Sequence, residues 1–92
     1  MKVDLAGKIA VVTGGARDIG RAVSIAFAQS GAAVCVNYNS SGDRARKVVQ
    51  EIEAGGGKAI AVQADVTNAK QISAMLDAVG NTFGKHVEIL VN

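Results

Sequence analysis

Apolar positions along this chain alternate between two spacings, and the alternation predicts strands and helices in turn. Lys8 to Thr13 is a short run rich in Val and Ile, apolar at consecutive positions as a strand buried on both faces should be. Ile19, Val23, Ala26 and Phe27 then recur at helical spacing within Ile19 to Ser30, and Gly31 stands where a left-handed residue ends a helix. Ala33 to Tyr38 reads as a second strand, broken by Ser40-Ser41-Gly42-Asp43. Ala45, Val48, Val49 and Ile52 stripe a second helix, closed by Gly55-Gly56-Gly57. Lys58 to Gln63 is a third strand. Thr67 or Asn68 can cap a third helix, striped by Ile72, Met75, Leu76, Val79 and Phe83. Gly84 ends that helix, and Val87 to Val91 is a fourth strand.

Strands that alternate with helices imply an α/β fold with a parallel sheet and right-handed crossovers. The doubly wound arrangement orders the strands 3-2-1-4 and puts a ligand over their carboxyl ends beside strand 1. Thr13-Gly14 and Tyr38-Asn39 fall at those ends.

Composition narrows the picture without changing it. Ninety-two residues without Pro or Trp make one small domain, and 49% hydrophobic residues with both charge signs interspersed exclude a disordered chain. A net charge of +2, with basic residues scattered among acidic ones, points to no nucleic-acid partner. No apolar run approaches the roughly 20 residues of a membrane span, and the N-terminus has no signal-peptide pattern, so no membrane and a cytoplasmic location are expected. The single cysteine, Cys35, lies in an apolar run and reads as a small buried hydrophobe. His86, the single histidine, has no ligand-spaced partners and reads as a solvated loop residue; no metal site is expected. Arg44, Arg46, Lys47, Glu51 and Glu53 read as the wet face of the second helix.

The chemistry is concentrated in Thr13-Gly14-Gly15-Ala16-Arg17-Asp18-Ile19-Gly20, directly between the first strand and the first helix. Glycines there let the backbone turn tightly and approach a pyrophosphate, and free N–H groups at the helix start face the anion. Glycines also end strands for structural reasons alone; the strand–turn–helix setting is what favours a nucleotide.

The wording of this stretch is specific. Asp4-Leu5-Ala6-Gly7-Lys8-Ile9-Ala10-Val11-Val12-Thr13-Gly14-Gly15 resembles the opening of short-chain dehydrogenases/reductases, whose Thr-Gly-x-x-x-Gly-x-Gly pattern maps onto Thr13 to Gly20. Ala64-Asp65-Val66-Thr67 resembles that family's step after its third strand, where the Asp contacts adenine. Phe83-Gly84-Lys85-His86-Val87-Glu88-Ile89-Leu90-Val91-Asn92 resembles the approach to its Asn-Asn-Ala-Gly motif, with Asn92 as the first Asn. The resemblance implies a Rossmann domain, of which residues 1–92 are the N-terminal part, and hydride transfer between a nicotinamide dinucleotide and a carbonyl/alcohol pair. The pattern is close to that of 3-oxoacyl-thioester reductases, but sugar and polyol dehydrogenases share it. Carried over, the cofactor-binding positions are Gly14, Arg17, Asp18, Ile19, Gly20, Asn37, Tyr38, Asn39, Ser40, Asp65, Val66 and Asn92.

The chain departs from the family pattern twice. Asp18 replaces the middle glycine; the reading preferred here is a helix cap turned away from the ligand, so Asp18→Gly is expected to cost a few tenths of a kcal/mol. The family's catalytic Ser, Tyr and Lys fall after its Asn-Asn-Ala-Gly motif, so the 92 residues alone are expected to be inactive. The competing reading is a non-catalytic nucleotide-binding or self-assembling remnant. NADP is expected over NAD, because Asn37-Tyr38-Asn39-Ser40-Ser41 holds no acid for the ribose hydroxyls before Asp43, and Arg17 suits a phosphate. A homo-oligomer is expected as well. Val87, Ile89, Leu90 and Val91 would form an open edge, and with only the third helix on its face of the sheet, apolar area of strands 1 and 2 would stay uncovered.

Overall fold

The computed structural model describes residues 4–84 and 86–92, so residues 1–3 and Lys85 of the stretch before the fourth strand lie outside it. Its elements are β1 (Ile9–Val12), α1 (Asp18–Gln29), β2 (Ala33–Tyr38), α2 (Gly42–Ala54), β3 (Lys58–Gln63), α3 (Ala69–Phe83) and β4 (Ile89–Val91). All pairings are parallel and the order is β3-β2-β1-β4, as the alternation predicted. β1 and β4 are shorter than their apolar runs, because Lys8, Thr13, Val87 and Glu88 flank the ladder.

Residues one position apart on each strand enter different cores, as the pleat requires. Ala10, Val12, Val34, Val36 and Ala59 pack under α1 and α2 with Ala45, Val48 and Ile52. Ile9, Val11 and Cys35 face α3 and meet Met75 and Val79. Every residue of β1 is buried, which makes it the most enclosed element; full burial of a Val or Ile contributes about 1.5–3 kcal/mol. The expectation that strands 1 and 2 would be uncovered on the α3 side is thereby corrected: one helix of 15 residues crosses both strands and closes that face. Within the described strands, the large apolar side chain that stays open is Leu90, paired with Val11 but 58% exposed at an outer strand.

Three local readings also change or sharpen. Ile19 is 80% exposed and Ala26 is exposed, so only Val23 and Phe27 of the expected α1 stripe pack against the core, joined by Ile25. The residue α1 buries completely is Ser24. Asn68, not Thr67, caps α3 by accepting from the Lys70 and Gln71 N–H groups. Cys35 is fully buried on β2, and that desolvation pushes its thiol up to about 12. No helix among the described residues is long and apolar enough to cross a membrane.

Candidate functional site

Parallel strands bring Gly14, Tyr38 with Asn39, Asp65 and Asn92 to the same carboxyl edge, each just past or at the end of its own strand. The glycine turn between β1 and α1 occupies the middle. Gly14 has φ +63, with nothing within 4 Å of where a side chain would begin, so its backbone is open to a ligand. Gly20 serves differently: a Cβ on it would stand 2.1 Å from the Gly14 carbonyl oxygen, so only glycine lets α1 seat on the turn. Ser24 fastens this seat from below, its hydroxyl donating to the carbonyls of Gly20 at 2.8 Å and Gly15 at 3.2 Å. The Gly15 N–H donates to the Asn37 carbonyl at 3.1 Å and ties the turn to β2.

The other side of the edge is closed by Thr13. Its N–H donates to the Val91 carbonyl at 2.9 Å, and its hydroxyl reaches that carbonyl at 3.0 Å and Asn92 Oδ1 at 3.4 Å. On the β3 side, the Asp65 carboxylate accepts from the Thr67 N–H at 2.9 Å and its hydroxyl at 2.7 Å. The hydroxyl contact, then the N–H, holds the Asp65 pKa below its ordinary value. Asn39 accepts from Gln63 through its backbone and side-chain oxygens. Val66 is exposed beside Asp65.

Arg17 and Ser40 share a cleft of about 460 Å³ with Ser41, Gly42, Asp43, Arg44 and Arg46. Arg44 and Arg46 lie on the exposed face of α2, as the stripe of that helix predicted, and they also line this cleft. Cations in the first turns of a helix oppose its dipole, which an anion in the cleft would offset. Ser24 had its signal in the sequence, as the single hydroxyl of α1, one turn after the last glycine of the fingerprint. A larger cleft, of about 610 Å³, lies near the turn before β4, lined by Leu76, Gly80, His86 and Val87 among others. It is remote from the glycine turn and brings together no comparable set of charged groups.

Two of the residues singled out in the sequence stand in a local geometry other than the one expected. Asn37 is 2% exposed, and its amide donates to the carbonyls of Val62 at 3.3 Å and Ala64 at 3.2 Å, so this side chain anchors β3 and does not face the cleft. Asp18 does not cap α1. Arg17 holds the cap position without a side-chain bond, and Asp18 is already the first helical residue. Its φ is +47, the one left-handed non-glycine backbone among the described residues, which is why the fingerprint asks for glycine here. Aspartate tolerates that region better than most side chains do.

The correction alters the expected mutational result. Asp18→Thr offers a hydroxyl able to cap but places a β-branched residue at positive φ, and should lose about 1–2 kcal/mol. Asp18→Gly should stay near neutral, because relief of that backbone is offset by about 0.4–1 kcal/mol of unfolded-state entropy and by the lost acidic charge in the first turn. Urea unfolding midpoints check both; threonine tolerated as well as aspartate would restore the cap.

Comparison with known proteins agrees with this geometry. A family model described as short chain dehydrogenase matches residues 8–92. An uncharacterized oxidoreductase of Methylorubrum extorquens is 52% identical over 88 residues, which are 96% of this chain but only 35% of that protein. The chain thus spans about a third of the length of such relatives. A short-chain dehydrogenase/reductase homolog of Bacillus subtilis, YusS, is 44% identical over 90 residues, and the match covers 98% of this chain and 82% of YusS. Among solved structures, a Burkholderia cenocepacia short chain dehydrogenase in complex with NADP superposes with a TM-score of 0.89 at 45% identity, over 96% of this chain and 36% of that one. A 7α-hydroxysteroid dehydrogenase complexed with NADH and 7-oxo glycochenodeoxycholic acid gives 0.91 at 41% identity, over 99% of this chain and 35% of that one.

Proposed function

The chain belongs to the short-chain dehydrogenase family, and from that premise we propose that its strand-end cleft takes a nicotinamide dinucleotide. The observation that carries this is the Gly14 backbone, open on its ligand side at the N-terminus of a 12-residue helix. Gly14, Arg17, Ile19 and Asn92 would hold the pyrophosphate and nicotinamide side, with the carbonyl of Gly14 kept in place by the tight seat of Gly20. Tyr38, Asn39 and Ser40 stand on the ribose side, and Asp65 with Val66 on the adenine side. The bound group would supply or accept hydride, with a carbonyl or alcohol as substrate of the whole protein. This chain's residues bind and orient the dinucleotide, and none of them is assigned a catalytic step.

NADP is the proposed cofactor over NAD. No carboxylate lies between Asn37 and Gly42 to accept from ribose hydroxyls, and Arg17 lines a cleft with two further arginines. Calorimetric titration of the purified chain should give a Kd for NADP at least tenfold below that for NAD. Equal or reversed affinities would reject the preference, and binding of neither would reject the dinucleotide reading.

A second reading, self-assembly, is favoured by one observation. Leu90 is exposed on the outermost strand, beside the partly buried Ile89 and Val91. An apolar edge of this kind is a template for pairing with a second copy. Sedimentation at micromolar concentration should therefore show dimers or larger species, and Leu90→Lys should shift them toward monomer. A single monomeric species for the unaltered chain would refute the assembly.

A further inference from the structure

The ladder of β3 ends at Gln63, and the peptide between Ala64 and Asp65 is held by side chains instead. Asn37 Nδ2, on the neighbouring strand, donates to the carbonyl of that peptide at 3.2 Å. Gln71 Oε1, on α3, accepts from its N–H at 2.7 Å. Two carboxamides from different elements thus grip one peptide plane at both ends. Ala64 is buried, so its carbonyl needs such a partner once the strand has stopped. The Gln71 contact is not the usual one for its place. As the third residue of α3 it would, in a capping box, return to the N–H of the cap residue Asn68. That N–H is already spent on the Asp65 carbonyl at 3.0 Å, and Gln71 reaches three residues further back.

We infer that Asn37 and Gln71 are positioning residues that fix the direction of the Asp65 carboxylate, and through it the choice of base at this end of the cleft. This rests on the dinucleotide reading above, with Asp65 on the adenine side. A peptide plane is rigid, and it turns only about the soft dihedrals on either side of it. With its carbonyl and its N–H both held, that rotation is closed, and the Cα–Cβ bond of Asp65 keeps one direction. Thr67 then fixes the carboxylate itself through its N–H and hydroxyl. A carboxylate only accepts, so an exocyclic amino group on the base matches it and a carbonyl oxygen in the same place is repelled. Hydrogen bonds weaken steeply when bent, so this discrimination depends on the direction being held.

NADP and its deaminated analogue, with hypoxanthine in place of adenine, differ only at the edge of the base. Titrated against the full chain, NADP should bind about fivefold more tightly. Gln71→Leu keeps a good helix former at that position but offers the Asp65 N–H no acceptor, and should bring the ratio to about twofold or below. Asn37→Ala should lower the ratio as well, and it also strips two carbonyls of a buried partner, so Gln71→Leu is the variant that spares the fold. The ratio of the two affinities is the readout, because a merely structural loss lowers both alike and cancels in it. Asp65→Asn should abolish the preference by itself, and adding Gln71→Leu should then leave the ratio where it stands. A ratio unmoved by Gln71→Leu, one that Gln71→Leu still lowers in the Asp65→Asn background, or equal affinities in the unaltered chain each overturn the positioning role alone. Failure of the unaltered chain to bind either ligand overturns the dinucleotide reading and the positioning role with it.

Discussion

Alanine at position 20 is expected to destabilise the chain by about 2 kcal/mol and to weaken dinucleotide binding by more than tenfold. Two effects oppose each other. In a helix, Ala is favoured over Gly by about 1 kcal/mol, so a free helix would gain. The added methyl, however, would lie 2.1 Å from the Gly14 carbonyl oxygen and 3.0 Å from the Gly15 Cα, both main-chain atoms that no rotamer change can move. Overpacking of this kind costs about 1–3 kcal/mol and more when the backbone must shift. The shift wins, and it displaces the very segment whose open N–H groups would face the pyrophosphate. Gly14→Ala offers the contrast, with no contact to relieve but φ +63 to sustain. Urea midpoints and NADP titration measure both consequences. A Gly20→Ala chain that melts and binds like the original would show that α1 does not seat on the turn in this way.

The second large effect is catalytic. The chain is expected not to oxidise NADPH with any carbonyl substrate, even where the dinucleotide binds. A developing alkoxide needs a positioned proton donor, worth on the order of 100- to 10,000-fold in rate. Among the described residues no hydroxyl is paired with an ammonium at the strand ends. Thr13 spends its hydroxyl on the Val91 carbonyl and Asn92, while Lys8 pairs with Glu88 at the opposite end of the sheet. Lys58 opens β3, also at that far end. Tyr38 is half-buried against the core under α1 and α2. Absorbance at the reduced-nicotinamide band reports turnover directly. Consumption proportional to chain concentration and retained through repurification would falsify the expectation.

The fold was legible because its cause is periodic. Consecutive apolar residues in β1, the alternation into α1 and the glycine punctuation each follow from burial on two faces or one, and burial is what the spacing encodes. Where the sequence reading failed, the decisive quantity was a direction or a dihedral. Asn37 looked like a strand-end ligand, but its amide donates to the carbonyls of Val62, in β3, and Ala64, just past it. Asp18 looked like a cap because aspartate caps helices, yet the cap position belongs to Arg17 and the φ belongs to glycine. Arg44 and Arg46 are separated from Arg17 by 27 and 29 positions, and only the return of β2 beside β1 brings them to one cleft. The covering of strands 1 and 2 by α3 depended on where the helix crosses the sheet, and a stripe of apolar residues carries no crossing angle.

Cys35 has a consequence outside binding. It is the one thiol in the chain, at the centre of β2, flanked by β1 at Val11 and β3 at Ile60, and its acidity is suppressed by burial. An alkylating reagent needs the thiolate in contact with solvent, so the native molecule is shielded both sterically and chemically. Reaction must pass through an opening that removes the cover of α3 or splits the sheet. The chain therefore carries a built-in clock: the labelling rate of one sulfur, followed across denaturant concentration, separates local fraying from loss of the whole sheet.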